Sequence, residues 1–182
     1  KNKKVVFTSG ATESNNLALL GFARNYYKKT GNYGHIITLK TEHKAVLEPL
    51  FKLKKEGFMV TEITPERDGI ISEEQFRKNI REDTFMVSIM MANNEIGVIQ
   101  PIENISKICK LRGITFHSDF AQCLGYVELE NLLSDVNMIT MSSHKIYGPK
   151  GIGLLLIDQD ITLDPLIVGG GQEYGLRSGT LP

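Results

Sequence analysis

The sequence lacks an excess of charge of either sign, because 21 Lys and Arg residues balance 21 Asp and Glu residues. A neutral chain has no electrostatic footprint for nucleic acid or for an anionic membrane surface. The sequence also lacks an apolar run long enough to span a bilayer. We therefore expect neither a nucleic acid nor a membrane among its direct partners.

Cysteine is scarce, with Cys109 and Cys123 the two examples in 182 residues. Two cysteines provide no disulfide framework, which indicates a reducing compartment. The length and a hydrophobic content of 41% suit one domain with a substantial core. The sequence opens on Lys1 rather than Met and stops at Pro182 without a polar tail, so we expect a fragment of a longer protein.

Strand-like and helix-like segments alternate along the chain, without internal repeats or low-complexity tracts. Short apolar and β-branched runs such as His35–Leu39 alternate with helical stretches that end in basic residues and a glycine, as in Lys28–Gly31. This alternation predicts an α/β fold of three layers, with a mostly parallel sheet between helices. Pro49 predicts that the regular part of the second helix begins only near Glu48.

The segment from Met138 to Lys145 is an apolar strand that turns polar at its end. The apolar residues fit a strand covered on both faces of a sheet, and Ser142, Ser143, His144 and Lys145 follow. A lysine at this position has two explanations. It is either a solvated strand end or a desolvated amine whose pKa falls far enough for Schiff-base chemistry.

The other strand ends also carry polar residues, and ligands of parallel α/β sheets bind beyond these ends. After the first strand, Ser9–Ser14 begins a helix whose N–H groups, with the Thr12 hydroxyl, form a candidate phosphate cradle; a plain helix N-cap is the alternative. The next strand leads to His43, which is a candidate site residue or only a polar neighbour of the site. The central strand leads to Asn93–Gly97, which is a candidate site segment or only a turn. Asp119 ends another strand, and a buried carboxylate there needs a positive partner.

Together these strand ends place a phosphate seat, an imidazole ring, an amide, a carboxylate and an amine on one rim. That set matches pyridoxal phosphate. A helix N-terminus suits its phosphate, a carboxylate holds the proton on its pyridine nitrogen, and a lysine reacts with its aldehyde. The residues therefore predict an enzyme that uses this cofactor, without a metal site.

Five motifs occur in order along nearly the whole chain: Ser9-Gly10-Ala11-Thr12-Glu13-Ser14-Asn15-Asn16-Leu17, Thr41-Glu42-His43-Lys44-Ala45-Val46, Asn93-Asn94-Glu95-Ile96-Gly97, Ser143-His144-Lys145-Ile146-Tyr147-Gly148-Pro149-Lys150-Gly151 and Arg177-Ser178-Gly179-Thr180. With these motifs the chain resembles the cysteine desulfurases of the class-V aminotransferases, which are fold-type-I pyridoxal-phosphate enzymes. The stretch Lys145–Gly151 resembles the group that serves iron–sulfur scaffolds. The resemblance implies that residues 1–182 are the large cofactor-binding domain, without the family's N-terminal segment and C-terminal small domain.

The resemblance implies a role for each matching residue. Lys145 would bind the cofactor covalently and later move the substrate α-proton, and His43 would stack on the ring and share in proton transfer. Asp119 would pair with the pyridinium nitrogen. The other implied cofactor contacts are Asn94 and Gln122 near the phenolic oxygen, and Ala11, Thr12, Ser142, Ser143 and His144 around the phosphate. Thr180 would reach the phosphate of a neighbouring subunit, which implies a homodimer.

The reaction implied by the resemblance converts L-cysteine to L-alanine and leaves the sulfur as a persulfide on an enzyme cysteine. The sulfur would serve iron–sulfur cluster assembly and tRNA thiolation, so an iron–sulfur scaffold protein and other sulfur acceptors are expected partners. The expected compartment is the cytoplasm of a bacterium or the mitochondrial matrix of a eukaryote.

The family's nucleophilic cysteine and its arginine for the substrate carboxylate belong to a segment beyond Pro182. We therefore expect cofactor chemistry from this chain without complete desulfurase turnover. Cys109 lies on the apolar face of its helix and Cys123 directly follows Gln122, and packing roles are expected for both cysteines. The alternatives are a selenocysteine lyase or an aminotransferase on the same fold, or a truncated binding module without catalysis.

Overall fold

A computed structural model describes residues 2–127 and 134–180 of the chain. Helices and strands alternate through these residues. The strands are β1 (Lys3–Thr8), β2 (His35–Leu39), β3 (Met59–Ile63), β4 (Thr84–Ser88), β5 (Thr115–Asp119), β6 (Met138–Ser142) and β7 (Gly153–Asp158). The helices are α1 (Ala11–Thr30), α2 (Lys44–Glu56), α3 (Glu73–Asn79) and α4 (Ile102–Arg112), with single 3-10 turns at Ser143–Ile146 and Glu173–Gly175. None of the described helices is long and apolar enough to cross a bilayer.

The seven strands form one sheet in the order β1-β7-β6-β5-β4-β2-β3. Strands β2 to β6 are paired in parallel, whereas β7 is antiparallel to both of its neighbours. The predicted mostly parallel sheet is therefore confirmed. The carboxyl ends of β4, β5 and β6 lie side by side, and the chain that leaves β1 enters α1 at the same edge.

Helices cover both faces of the sheet, which confirms the predicted three layers. Helices α1 and α2 pack on one face through an apolar cluster that includes Leu17 and Val46. Helices α3 and α4 pack on the other face through a cluster that includes Phe76 and Ile105. Each such buried side chain contributes about 1.5–3 kcal/mol, so these two clusters hold the helices against the sheet.

Helix α2 begins earlier than the sequence predicts. The expected start near Glu48 is wrong, because Pro49 lies inside the helix. His43 caps the helix instead, since its Nδ1 atom accepts a hydrogen bond from the Ala45 N–H at 3.1 Å. Pro49 is buried in the protein. Capping and apolar packing therefore offset the hydrogen bond that the proline cannot make.

Two glycines set the start of α1 against β7. A Cβ atom added to Gly153 would lie 2.4 Å from the carbonyl carbon of Gly10. Real Cβ atoms do not come this close to other atoms, so only glycine lets the two backbones pass at this distance. The close approach holds the N-terminus of α1 beside the end of the sheet where β6 finishes.

Candidate active site

One cavity of about 480 Å³ opens at this edge of the sheet. It lies between the N-termini of α1 and α2 and the segments that follow β4, β5 and β6. The residues that line it are Ser9, Gly10, Ala11, Thr12, Glu13, His43, Ala45, Met90, Ala92, Asn94, Asp119, Ala121, Gln122, Ser142, His144, Lys145, Lys150 and Gly151. Its volume is in the range of cofactor and small-molecule sites.

The N-terminus of α1 gives the cavity a set of free hydrogen-bond donors. The helix runs for 20 residues, and no side chain caps its first turn. The N–H groups of Ala11 and Thr12 therefore point out of the helix without an intrahelical partner, at the positive end of the helix dipole. Ser142 and His144 also line the cavity, and the Ser142 Oγ and His144 Nδ1 atoms are 2.7 Å apart. This arrangement fits an anion such as phosphate.

Asp119, the last residue of β5, lines the cavity although it is only 5% exposed. Its Oδ2 atom accepts a hydrogen bond from the Asn15 amide at 2.7 Å, and its Oδ1 atom accepts one from the Ala121 N–H at 2.9 Å. Burial raises the pKa of Asp119, although these two hydrogen bonds and the charges of His43 and Lys145 act against the shift. Among the described residues Asp119 forms no ion pair. A positively charged partner inside the cavity would stabilise this carboxylate.

Lys145 lines the cavity from the 3-10 turn that follows β6. It is exposed, so the described residues place it at the solvated rim rather than in a dry interior. The structure thus shows a solvent-exposed lysine that borders the cavity, and its role in Schiff-base chemistry stays a prediction. Its charge lowers the pKa of Asp119, so the amine and the carboxylate influence each other electrostatically. Lys150 is a second exposed lysine on the same rim.

His43 and Asn94 line the cavity from the segments that follow β2 and β4. Because the Nδ1 atom of His43 accepts the Ala45 N–H, the proton of the neutral ring is on Nε2. The neighbouring Asn93 builds the expected turn, since its Oδ1 atom accepts the Glu95 N–H at 2.8 Å. Asn94 is exposed and lines the cavity.

Nine of the eleven site residues that the sequence predicts line this cavity: Ala11, Thr12, His43, Asn94, Asp119, Gln122, Ser142, His144 and Lys145. Ser143 does not line it, because its hydroxyl donates to the backbone carbonyls of Pro149 and Ile152 and holds the turn that carries Lys145. Thr180 is exposed and lies outside the cavity. The role of Thr180 at a neighbouring subunit stays a prediction.

Four residues that no sequence pattern singles out also form or support the site. Asn15 is one of them: its amide is buried and donates to Asp119, which is 104 positions away, so no local pattern marks the pair. Glu13 belongs to the first sequence motif, and it lines the cavity directly after Thr12. Met90 and Ala92 form apolar wall after β4, and their spacing carries no signal that distinguishes them from core residues.

A buried hydrogen-bond chain joins the strands that carry the site. The His117 Nδ1 atom is 2.8 Å from Ser88 Oγ on β4, and its Nε2 atom is 3.2 Å from Thr140 Oγ1 on β6. Burial lowers the pKa of His117 to about 3, so the ring is neutral at physiological pH. These hydrogen bonds fix the spacing of β4, β5 and β6 at His117, which lies two residues before Asp119. His117 is therefore a structural residue rather than a proton carrier.

Both cysteines pack in the interior, as predicted. Cys109 is 1% exposed and Cys123 is 0% exposed. Burial raises the pKa of each thiol to about 12, and the nearby Asp119 carboxylate adds to the shift at Cys123. At neutral pH neither residue provides the thiolate that nucleophilic attack on sulfur needs.

Glu42 is a buried carboxyl group that connects the ends of β2 and β4. Its Oε1 atom accepts the Met90 N–H at 2.8 Å, and its Oε2 atom has no hydrogen-bond partner among the described residues. Burial raises the pKa of Glu42 well above its ordinary value; the Met90 hydrogen bond opposes this shift and the Asp119 charge increases it. The folded chain therefore keeps a proton on Glu42 well above pH 4.5.

Replacing Glu42 by glutamine is expected to flatten the pH dependence of stability. The raised pKa means that the stability contributed by Glu42 is complete below pH 4.5 and is lost as the pH rises towards the folded-state pKa. The variant cannot titrate at this position, so its advantage in the free energy of unfolding should grow by up to about 1.4 kcal/mol per pH unit in that window. Urea unfolding at several pH values measures it. Below pH 4.5 the two proteins should be equally stable, and a constant difference at all pH values would contradict the interpretation.

Comparison with known families gives one consistent result. The class-V aminotransferase family model matches residues 1–180. Among curated proteins, a cysteine desulfurase IscS of Ehrlichia chaffeensis is 51% identical over 183 residues, which cover 99% of this chain and 44% of that protein. A mitochondrial cysteine desulfurase of Eremothecium gossypii is 51% identical over 182 residues, which cover 99% of this chain and 36% of that protein. The chain thus spans less than half the length of these relatives.

Solved structures show the same likeness in three dimensions. The crystal structure of DndA from Streptomyces lividans superimposes with a TM-score of 0.91 at 46% identity, over 98% of this chain and 51% of that one. A structure described as SspA in complex with cysteine superimposes with a TM-score of 0.90 at 44% identity, over 98% of this chain and 51% of that one. The architecture of the described residues is therefore that of fold-type-I enzymes.

Proposed function

This chain belongs to the class-V aminotransferase family, and on that premise we propose that it is the cofactor-binding part of a pyridoxal-phosphate-dependent cysteine desulfurase. The observation that carries the proposal is that one cavity is lined by an uncapped helix N-terminus, a buried carboxylate and a lysine, contributed by Thr12, Asp119 and Lys145. Relatives at about half identity named as cysteine desulfurases support L-cysteine as the substrate.

The residues that line the cavity fit pyridoxal phosphate. The N–H groups of Ala11 and Thr12, with the Ser142 hydroxyl, would hold the phosphate. Asp119 would hold the proton of the pyridine nitrogen, and the lysine amine of Lys145 would engage the aldehyde. When bound, this cofactor supplies an electron sink that stabilises a carbanion at the substrate α-carbon.

Other residues of the cavity would orient the Asp119 carboxylate, move the substrate proton and donate a hydrogen bond. Asn15 and the Ala121 N–H fix both oxygens of the Asp119 carboxylate, so its orientation is set before a ligand arrives. Lys145 borders the cavity, where its Nζ atom, in the unprotonated form, would take a proton from the substrate α-carbon and later return it. His43 carries its proton on Nε2 and can donate a hydrogen bond from that atom.

The thiolate that accepts sulfur is not among the residues of this cavity. Both cysteines of the chain are buried with pKa values raised to about 12. We propose that this chain binds the cofactor and activates the substrate α-carbon, and that a cysteine outside these 182 residues takes the sulfur. We further propose that the sulfur is passed to an iron–sulfur scaffold and to other acceptors, in a bacterial cytoplasm or a mitochondrial matrix; the names of the relatives give cysteine desulfurase activity and, for one of them, a mitochondrial location. The proposal includes a homodimer in which Thr180 contacts the partner's phosphate site.

Equilibrium dialysis against pyridoxal phosphate, followed by addition of L-cysteine, tests the proposal. We expect stoichiometric binding of the cofactor and a spectral change on adding L-cysteine, without catalytic release of sulfide. Absence of cofactor binding would contradict the proposal and favour a non-catalytic binding module. A response to L-selenocysteine or to a 2-oxo acid, with none to L-cysteine, would favour a selenocysteine lyase or an aminotransferase. Sustained sulfide release by this chain alone would contradict the proposed division of labour.

A further inference from the structure

Glu13 places a negative charge beside the proposed phosphate-binding site, the N–H groups of Ala11 and Thr12. It is the third residue of α1, directly after Thr12, and it lines the cavity. Its Oε2 atom accepts the Ser9 N–H at 2.8 Å, so the side chain bends back over the first turn of the helix. A carboxylate there stabilises the helix through the dipole, but it repels a phosphate that approaches the N–H groups of Ala11 and Thr12.

Arg177 compensates this charge from the other end of the chain. Its Nε atom donates to the Glu13 Oε1 atom at 2.9 Å, and the two side chains are 20% and 15% exposed. Burial acts to raise the pKa of Glu13, but the hydrogen bonds from Arg177 and Ser9 and the Arg177 charge hold the pKa below its ordinary value. The carboxylate is therefore ionised and neutralised as a pair.

The loop that presents Arg177 is held by its own hydrogen bonds. The Ser178 N–H donates to the Ile167 carbonyl at 3.1 Å, and the Gly179 N–H donates to the Gln172 side chain at 3.0 Å. Ser178 itself is buried. The arginine therefore reaches Glu13 from a segment that is already fixed, which keeps the pair in one geometry.

We propose that Arg177 is a positioning residue for the cofactor: by neutralising Glu13, it makes the N-terminus of α1 selective for a phosphorylated ligand. This inference rests on the proposed function and adds to it the residue that allows phosphate to be accepted. This role differs from direct binding of the phosphate by Arg177. Because Arg177 acts through Glu13, its loss weakens phosphate binding only while Glu13 is charged.

The test compares the affinities for pyridoxal phosphate and pyridoxal, which differ only in the phosphate group. Arg177→Gln is expected to weaken binding of pyridoxal phosphate by about tenfold or more, because the Glu13 carboxylate, no longer neutralised, then repels the phosphate at the same helix N-terminus. Its affinity for pyridoxal should stay within about twofold of the wild-type value, because pyridoxal lacks the phosphate dianion that the Glu13 carboxylate would repel. Calorimetry or equilibrium dialysis measures both constants.

Two further variants separate charge neutralisation from structural damage. Glu13→Gln with Arg177→Gln should restore the wild-type ratio of the two affinities, because no carboxylate remains at the seat. Arg24→Gln is the matched control, since it breaks a similar ion pair, Arg24–Glu56, that is remote from the cavity. This control should leave the ratio unchanged.

The possible results distinguish the inference from the function on which it rests. An Arg177→Gln variant with the wild-type affinity ratio would overturn the inference alone. So would a double variant that fails to regain the ratio, because Arg177 would then act by direct contact or through the loop. A wild-type chain that binds neither ligand would overturn the proposed function and this inference together.

Discussion

Replacing Lys145 by alanine is expected to abolish covalent retention of pyridoxal phosphate by the chain. Two lysines line the cavity, Lys145 and Lys150, and of these Lys145 is the one whose charge acts on Asp119. An aldehyde held between the helix N-terminus and that carboxylate should therefore meet the amine of Lys145. Borohydride reduction of the loaded chain, removal of free cofactor and peptide mass spectrometry measure the attachment. The label should fall to the background of the other surface lysines.

Lys150→Ala is the matched control for this prediction. Lys150 is exposed and lines the same cavity, so its loss changes the local charge by the same amount. The control should keep the wild-type level of label on Lys145. Equal labelling of wild-type protein and the Lys145→Ala variant, or a label concentrated on Lys150, would contradict the assignment of Lys145.

Replacing Asp119 by asparagine is expected to stabilise the cofactor-free chain and to weaken its binding of pyridoxal phosphate. Because burial raises the pKa of Asp119, its stabilising contribution is complete below pH 3.8 and is lost as the pH rises through the folded-state value. The neutral amide avoids this loss at pH 7. Asn15 can rotate to offer its Oδ1 atom, which has no partner among the described residues, to the new amide.

The binding side of this prediction has the larger effect. A hydrogen bond to a charged group is worth about 1.5–3 kcal/mol, so the affinity for pyridoxal phosphate should fall by about 10- to 100-fold. Thermal unfolding of the cofactor-free chain and equilibrium dialysis measure the two effects. An Asp119→Asn variant that binds the cofactor as well as the wild type would contradict the role of Asp119. A variant less stable than wild type at pH 7 would contradict the interpretation of its burial.

The sequence predicted the sheet and most of the site because both depend on short-range patterns. Apolar runs mark buried strands, and in a parallel sheet the polar residue after each strand must come to one edge. Asp119, Asn94 and Lys145 could therefore be assigned to one rim without coordinates. The apolar face of α4 likewise indicated a packing role for Cys109, which the structure buries.

The remaining features depend on contacts between residues far apart in the chain. Asn15 and Asp119 are separated by 104 positions, and Glu13 and Arg177 by 164 positions. No local pattern indicates which amide or which arginine completes such a pair. The predicted start of α2 near Glu48 was wrong for a related reason. The His43 cap and the core packing that stabilise α2 outweigh the local effect of Pro49 on the helix.

A crystal structure of the chain with pyridoxal phosphate tests the central claim most directly. The account predicts the phosphate at the N–H groups of Ala11 and Thr12, with the pyridine nitrogen within hydrogen-bond distance of the Asp119 carboxylate and the aldehyde carbon at Lys145. A cofactor bound outside this cavity, or inside it with the pyridine nitrogen turned away from Asp119, would contradict the account.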